Sequence, residues 1–220
     1  MPPSRRKLPS TASVAHPAEN GKLHAPSAAR NVGAIVEAIA AVMPASGKAL
    51  EIASGTGEHV VRYAAAFSGL DWQPSDIDAD RLNSISAWSA ETGLPNILPP
   101  QMLDATKTGW AVQQPPQNVV ILSNLLHLIS MGEAAAVIAE SAQALAPDGV
   151  FLIYGPFLRG ATFASAADQR FDQSLRGKDP DIGYKSYQMV QDVQGQAGLL
   201  PLERIEMPSN NLLLAARKPR

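Results

Sequence analysis

The chain has 220 residues, 45% of them apolar, with 18 basic against 20 acidic side chains and a formal charge of −2. That length suits one domain with a sizeable core, and a charge so near zero gives no electrostatic case for nucleic acid or an anionic membrane. Cysteine is absent, which excludes disulfides, thiolate metal sites and thiolate nucleophiles; no metal is expected, and no apolar run approaches the ~20 residues that span a bilayer.

Residues 1–23 read as a disordered tail and 24–220 as the folded domain. Arg5, Arg6 and Lys7 lie among Ser and Pro with no acid before Glu19, as in an organelle transit peptide. Pro2, Pro3, Pro9 and Pro17 oppose the amphipathic helix such a segment needs. Removing residues 1–20 is therefore expected to leave thermal stability almost unchanged. A cytoplasmic location is expected, in keeping with the lack of cysteine.

From there helix-like and strand-like segments alternate. Pro26-Ser27 opens a helix predicted over 28–43, with Val32, Ile35, Val36, Ile39 and Val42 on one face and Pro44 beyond its end. A strand over 48–53 leads to a helix over 58–67. Residues 71–75 form a strand by position, although Pro74 opposes it. A helix over 78–92 carries Leu82, Ile85 and Trp88 at helical spacing, and a third strand over 97–103 is weakened by Pro99 and Pro100. Asn118–Leu122 is a buried strand. A helix over 133–145 stops at Ala146-Pro147-Asp148-Gly149, and a fifth strand covers 150–154. Residues 156–185 lack periodicity and predict an irregular insertion with a short helix around Phe171–Leu175. A helix over 186–197 follows. Strands over 202–207 and 212–216, joined by Pro208-Ser209-Asn210-Asn211, end in a hairpin. The class is α/β: a seven-stranded, mostly parallel sheet with helices on both faces and a C-terminal antiparallel hairpin.

Chemistry concentrates in Ala49-Leu50-Glu51-Ile52-Ala53-Ser54-Gly55-Thr56-Gly57-Glu58-His59. An apolar strand, a turn with two glycines and a helix start form the first unit of a nucleotide-binding sheet. A Cβ at either glycine would oppose positive φ and close approach of the backbone to a ligand. A dinucleotide turn needs no acid at Glu51; a site that grips a ligand ammonium does. The motif thus points to S-adenosylmethionine (SAM), whose methionine end carries one, with S-adenosylhomocysteine as product. Ligand groups should gather at the carboxyl ends of the strands. Ala53 and Ser54 lie in the turn. Asp76 ends the second strand, where a carboxylate accepts from both ribose hydroxyls. Asp104, or backbone beside it at Ala105, follows the third strand and faces the adenine amino group. Asn124 and Leu125 follow the fourth and line the pocket near the sulfonium. Any one of these acids alone is equally a helix cap or a solvated loop residue. Val60 stands where a dinucleotide fingerprint wants a third glycine, which disfavours an NAD-linked reductase.

The motif residues, with Trp72-Gln73-Pro74-Ser75-Asp76, Gly93-Leu94-Pro95-Asn96, Tyr154-Gly155-Pro156-Phe157 and Glu206-Met207-Pro208-Ser209-Asn210-Asn211-Leu212, resemble the family of methyltransferase-like protein 26. The likeness runs from about His24 to Arg217. It implies a class I, Rossmann-like SAM-dependent methyltransferase that binds SAM through Glu51, Gly55, Gly57, Asp76 and Asp104. It implies no particular substrate.

In such an enzyme the protein holds an acceptor in line with the sulfur–methyl bond. His127, just past the fourth strand, is the candidate general base, expected to titrate near 6.5; the alternative is a structural histidine. Tyr154 is a candidate for orienting the acceptor. Arg30, Asn31 and Asn211 are candidates for binding substrate, though Asn210 and Asn211 also suit a hairpin turn. Arg159, Arg170, Arg176 and Lys178 in the insertion are candidates for selecting an anionic acceptor, although charges in an exposed loop are usually just solvated. The expected partner is a small molecule. Nucleic acid is disfavoured because Ser123-Asn124-Leu125-Leu126-His127 is no Asn-Pro-Pro-Tyr-like motif. The rival reading is a non-catalytic SAM-binding module acting through a protein partner.

Overall fold

The computed structural model describes Pro9 and residues 12–220. Seven strands form one sheet: β1 (Gly47–Ile52), β2 (Leu70–Asp76), β3 (Gln101–Met102), β4 (Gln117–Ser123), β5 (Leu145–Pro156), β6 (Leu200–Glu206) and β7 (Asn211–Arg217). Their order is β3-β2-β1-β4-β5-β7-β6, with only β7 antiparallel to its neighbours. The sheet thus reverses direction of growth between β1 and β4, and a ligand crevice forms outside the carboxyl ends at such a point.

Helices α1 (Pro26–Ile39), α2 (Glu58–Ala66) and α3 (Ala79–Thr92) cover one face, and α4 (Met131–Ala144) and α6 (Tyr187–Gln196) the other. Alternate side chains of each central strand feed the two cores, as a period of two requires. Ala49, Val119, Ile121 and Leu152 join Ile35, Val60 and Ile85; Leu50, Leu122, Phe151 and Ile153 join Val137, Ile138 and Val190. Helix α5 (Ala166–Arg176) belongs to the insertion and packs Leu175 against Ile182 and Tyr184 in a small separate cluster.

Several boundaries differ from expectation for local reasons. Helix α1 ends at Ile39 rather than 43, and the chain turns there, Val42 N donating to Ile39 O (3.0 Å) ahead of Pro44. Strand β2 tolerates Pro74 because Trp72 bonds toward the β3 side, donating to Asn96 O (2.8 Å) and accepting from Leu98 N (2.8 Å). In a parallel pair residues two apart bond to the same side, so the missing Pro74 donor faces the stretch at Pro99 and Pro100 where β3 has left the sheet. Those prolines also cut the third strand from the expected 97–103 to Gln101–Met102, with one isolated bridge from Trp72 to Ile97.

The expected tail does not stop mattering at residue 23. Residues 1–8, 10 and 11 lie outside the described part, but residues 12–24 lie against α3. His16–Pro17 pairs with Leu23–His24 as a short ribbon. Leu23 N donates to Ser84 Oγ (2.8 Å), Trp88 Nε1 donates to Leu23 O (2.9 Å), and Lys22 pairs with Glu91.

Candidate active site

Strand β1 ends in a turn wound through left-handed backbone: φ is 53° at Ala53, 60° at Gly55 and 95° at Gly57. The two glycines serve different needs. At Gly55 an added Cβ would meet nothing closer than 4.0 Å, so conformation alone selects it. At Gly57 a Cβ would sit 2.8 Å from Ile85 Cα, so that glycine lets α2 start against α3 rather than making room for a ligand. Ala53 carries the left-handed conformation without being glycine, a strain of order 1 kcal/mol. The turn is tied to β2 by Ser54 N donating to Ser75 O (2.8 Å), Ser75 N donating to Ser54 Oγ (3.1 Å) and Ser75 Oγ donating to Glu51 O (2.8 Å).

Asp76 closes the same arrangement. Its Oδ2 accepts from Gly55 N (2.9 Å) and its Oδ1 from Asp78 N (3.0 Å). Burial raises its pKa, while those two N–H bonds and Arg81 oppose the rise. Each oxygen retains a second lone pair, so the carboxylate can still receive a diol. Asp104 is fixed by Thr106, whose N and Oγ1 both donate to Oδ1 (3.1 and 2.5 Å).

Glu51 is the anomaly. It is 1% exposed, and neither carboxyl oxygen has a hydrogen-bond partner among the described residues. Burial pushes it up to about 8, opposed by the nearby Ser54 hydroxyl and reinforced by Asp76. His59 Nδ1 lies 4.0 Å from its Oε1, and His59 Nε2 lies 2.7 Å from Asn31 Oδ1. Burial lowers His59 to about 4, with Glu58 opposing. Glu58 is held in turn by Ala25 N (2.7 Å), Thr56 Oγ1 (2.7 Å) and His24 Nδ1 (2.8 Å).

One cavity of about 1610 Å³ opens over the carboxyl ends of the strands. Its wall includes Ala53, Ser54, Gly55 and Asp76, then Asp104 and Ala105, then Asn124, Leu125 and His127, and also Arg30, Asn31, Tyr154 and Asn211. The candidates from strand ends thus meet in one place. Glu51 and Gly57 do not line it, whereas His59, whose Nδ1 lies 4.0 Å from Glu51 Oε1, does. Asn124 has φ 56°, which Asn tolerates, and its N donates to Tyr154 O (2.8 Å).

Tyr154 and its neighbours form a second polar group. Asn211 Nδ2 donates to the Tyr154 hydroxyl (2.9 Å), and the Asn31 amide lies near enough to act on it. Burial raises the Tyr154 phenol, and these amides oppose it. His127 sits in a box with Phe171 and Tyr184, ring centroids 5.9 and 6.1 Å away. Burial, and secondarily Lys185, lower it to about 3, not the expected value near 6.5. The buried Lys185 donates to Gly183 O (2.9 Å) and to Ile129 O. The basic residues of the insertion do not act together: Arg159 pairs with Glu206 (2.6 Å) and Arg176 with Asp172 (2.8 Å), and of the four only Lys178 lines the cavity.

Sequence reasoning missed His59, Ile77, Met102, Phe171 and Tyr184, all of which line the cavity. Ile77 and Met102 are 45% and 56% exposed, unusual for large apolar side chains and suited to a flat apolar ligand surface. His59 was within reach, two residues past Gly57 at the helix start. Phe171 and Tyr184 come from the aperiodic insertion and left no signal.

A sheet of this order with a crevice at the β1–β4 switch and a glycine turn beside it defines the class I methyltransferase fold. The family model described as "Protein of unknown function (DUF938)" matches residues 22–218, and the chain belongs to that family. Among solved structures the chain is similar to an O-methyltransferase family protein from Burkholderia thailandensis (19% identity, TM-score 0.69), over 85% of this chain and 56% of that one. It is also similar to human N-acetylserotonin methyltransferase in complex with SAM (14%, 0.65), over 86% and 55% respectively. A third, the [4+2]-cyclase SpnF, matches at 14% identity and TM-score 0.66, over 84% of this chain and 80% of that one. The chain spans little more than half the length of the first two. No helix among the described residues is long and apolar enough to cross a membrane.

Proposed function

We propose that this protein is a SAM-dependent methyltransferase that acts on a small molecule. The observation that carries the reading is the continuity of the cavity. One space of about 1610 Å³ runs from the glycine turn and Asp76 to His127 and Tyr154. It exceeds the roughly 300–1,000 Å³ of a single-ligand pocket and has room for a cofactor and an acceptor together. The residues fit the cofactor: an unpartnered buried carboxyl at Glu51 suits an ammonium, Asp76 a ribose diol, Asp104 with Ala105 an adenine edge, and exposed Ile77 and Met102 its faces.

When bound, SAM supplies an electrophilic methyl group on a sulfonium. The chain's own part is to place, orient and keep dry. Asn124 and Leu125 wall the middle of the cavity, between the Asp76 end and the Tyr154 end. Tyr154, held by Asn211, offers a hydroxyl at a defined point on the acceptor side. Arg30 lines the same cavity. His127 supplies a neutral imidazole that accepts a hydrogen bond from the acceptor; with its pKa so low it positions the acceptor more than it takes a proton. The strings at 72–76 and 206–212 support kinship with methyltransferase-like protein 26, and a cytosolic location is part of the same reading.

The fold alone does not decide turnover, because a protein titled a [4+2]-cyclase shares it. Two measurements test the proposal. Calorimetry should show SAM and S-adenosylhomocysteine bound far more tightly than NAD. Incubation with methyl-labelled SAM and a metabolite extract should move label into small molecules. Equal affinity for NAD would overturn the cofactor, and binding without label transfer would leave a SAM-binding module instead of an enzyme.

A further inference from the structure

Glu51 and His59 form a unit that the expected ammonium contact does not account for. Glu51 has no hydrogen-bond partner among the described residues, does not line the cavity, and has His59 Nδ1 4.0 Å from its Oε1. His59 Nε2, 2.7 Å from Asn31 Oδ1, donates to that oxygen, so a neutral imidazole turns its lone pair toward Glu51. At 4.0 Å the two side chains are beyond hydrogen-bond reach but close enough for a single proton to sit on either, as carboxyl with imidazole or as carboxylate with imidazolium.

The groups packed around the pair offer nothing to neutralise a carboxylate. Asp76 at the end of β2 adds negative charge, Tyr63 of α2 is an uncharged phenol, Ser54 a hydroxyl and Asn31 of α1 an amide. Glu58, at the start of α2, acts on His59 with a second negative charge. With these neighbours burial keeps the proton on Glu51, raised to about 8, and off His59, lowered to about 4.

We propose that Glu51 and His59 are a proton-releasing ammonium subsite: a primary ammonium arriving at the wall of Ala53, Ser54 and His59 takes the place of the proton that the pair holds. The inference rests on the SAM reading above. One bond breaks, the O–H of the Glu51 carboxyl. The proton leaves by way of His59, whose ring lines the cavity, and ends in solvent. The ammonium keeps its three protons, and its charge balances the carboxylate left behind. His59 is thus a positioning residue through which a buried acid senses a ligand it does not face.

The test is calorimetric titration of the whole chain with S-adenosylhomocysteine in buffers of different ionisation enthalpy. At pH 6.5 close to one proton should be released per ligand bound, falling to roughly a quarter at pH 8.5, and affinity should tighten several-fold from pH 6.5 to 7.5. Glu51→Gln, which copies the neutral carboxyl, should bind with heats independent of buffer and lose the pH trend. Buffer-independent heats in the unaltered protein at pH 6.5 overturn the inference and leave the cofactor intact. Proton release that persists in Glu51→Gln overturns the assignment to this pair. Absence of binding at any pH overturns the cofactor reading and this inference with it.

Discussion

Asp76 serves two ends with one carboxylate, and its substitution should show both. It fixes the glycine turn through Gly55 N and the following loop through Asp78 N, while its remaining lone pairs face the cavity. Asp76→Ala should weaken S-adenosylhomocysteine by roughly 10- to 150-fold, the scale of about 1.5–3 kcal/mol for hydrogen bonds to a charged group. A thermal melt should also show lost stability, since two backbone donors lose their acceptor. An unchanged dissociation constant removes Asp76 from the ribose. His127 carries a different expectation. Its imidazole stays neutral well below pH 6.5 because burial and Lys185 oppose its charge. His127→Ala should lower kcat with little effect on cofactor affinity, and neither protein should show a rate limb near pH 6.5 that belongs to this residue. A limb there that the substitution abolishes would restore the general base. At this scale the strand-end acids were readable because spacing alone puts Asp76 at the end of a strand. The burial that turns His127 neutral comes from Phe171 and Tyr184, more than 40 residues away, and no local pattern announces it.

Among the elements, the ribbon of residues 12–24 changes what truncation should do. Its strong anchors come late: Lys22, Leu23 and His24 reach Glu91, Ser84, Trp88 and Glu58. Before them Ser13 offers Arg81 only long contacts of 3.3–3.4 Å. Deleting residues 1–20 should shift Tm by a degree or two at most. Deleting 1–24 should lower it by several degrees, because four hydrogen bonds of about 0.5–1.5 kcal/mol each disappear. Equal melting of the two truncations would show that the ribbon adds nothing. Composition could not reveal this, because the residues that dock are few, Leu23 docks through its backbone, and their partners all belong to α2 and α3. Pro74 shows the opposite case. Propensity argued against a strand, yet the order of elements required one. The sheet accepts it because its partner strand is broken by prolines at the same level.

For the molecule as a whole, three buried groups set a pH optimum. His59 at about 4 and His127 at about 3 are depressed from 6.5, so their contribution is present above pH 6.5 and lost as pH falls toward those values. Glu51 at about 8 is raised from 4.5, so its contribution is complete below 4.5 and lost as pH climbs to about 8. Near pH 5.5 the unfolded chain binds close to two protons at these sites and the folded chain close to one, so stability rises with pH. Near pH 7 the folded chain binds more, so stability falls. The balance lies near pH 6.5, with a slope of roughly 1 kcal/mol per pH unit on the acid side and a shallower one on the alkaline side. Melting curves across pH 4.5–8.5 should peak there, and Glu51→Gln should flatten the alkaline side and steepen the acid side, because the proton the folded chain binds near pH 5.5 is the one on Glu51. A monotonic rise to pH 8.5 would show Glu51 ionised in the free protein.

Strand β7 is synthesised after β5 and β6 yet lies between them. A growing chain therefore carries β5 with a bare edge until Asn211–Arg217 has left the ribosome, which is an invitation to pair with another nascent chain. The same late insertion brings Asn211 to Tyr154. The glycine turn and Asp76 belong to strands that can associate early. The half of the cavity assigned to the cofactor can take shape before β7 arrives, whereas the half assigned to the acceptor is completed only when Asn211 reaches Tyr154.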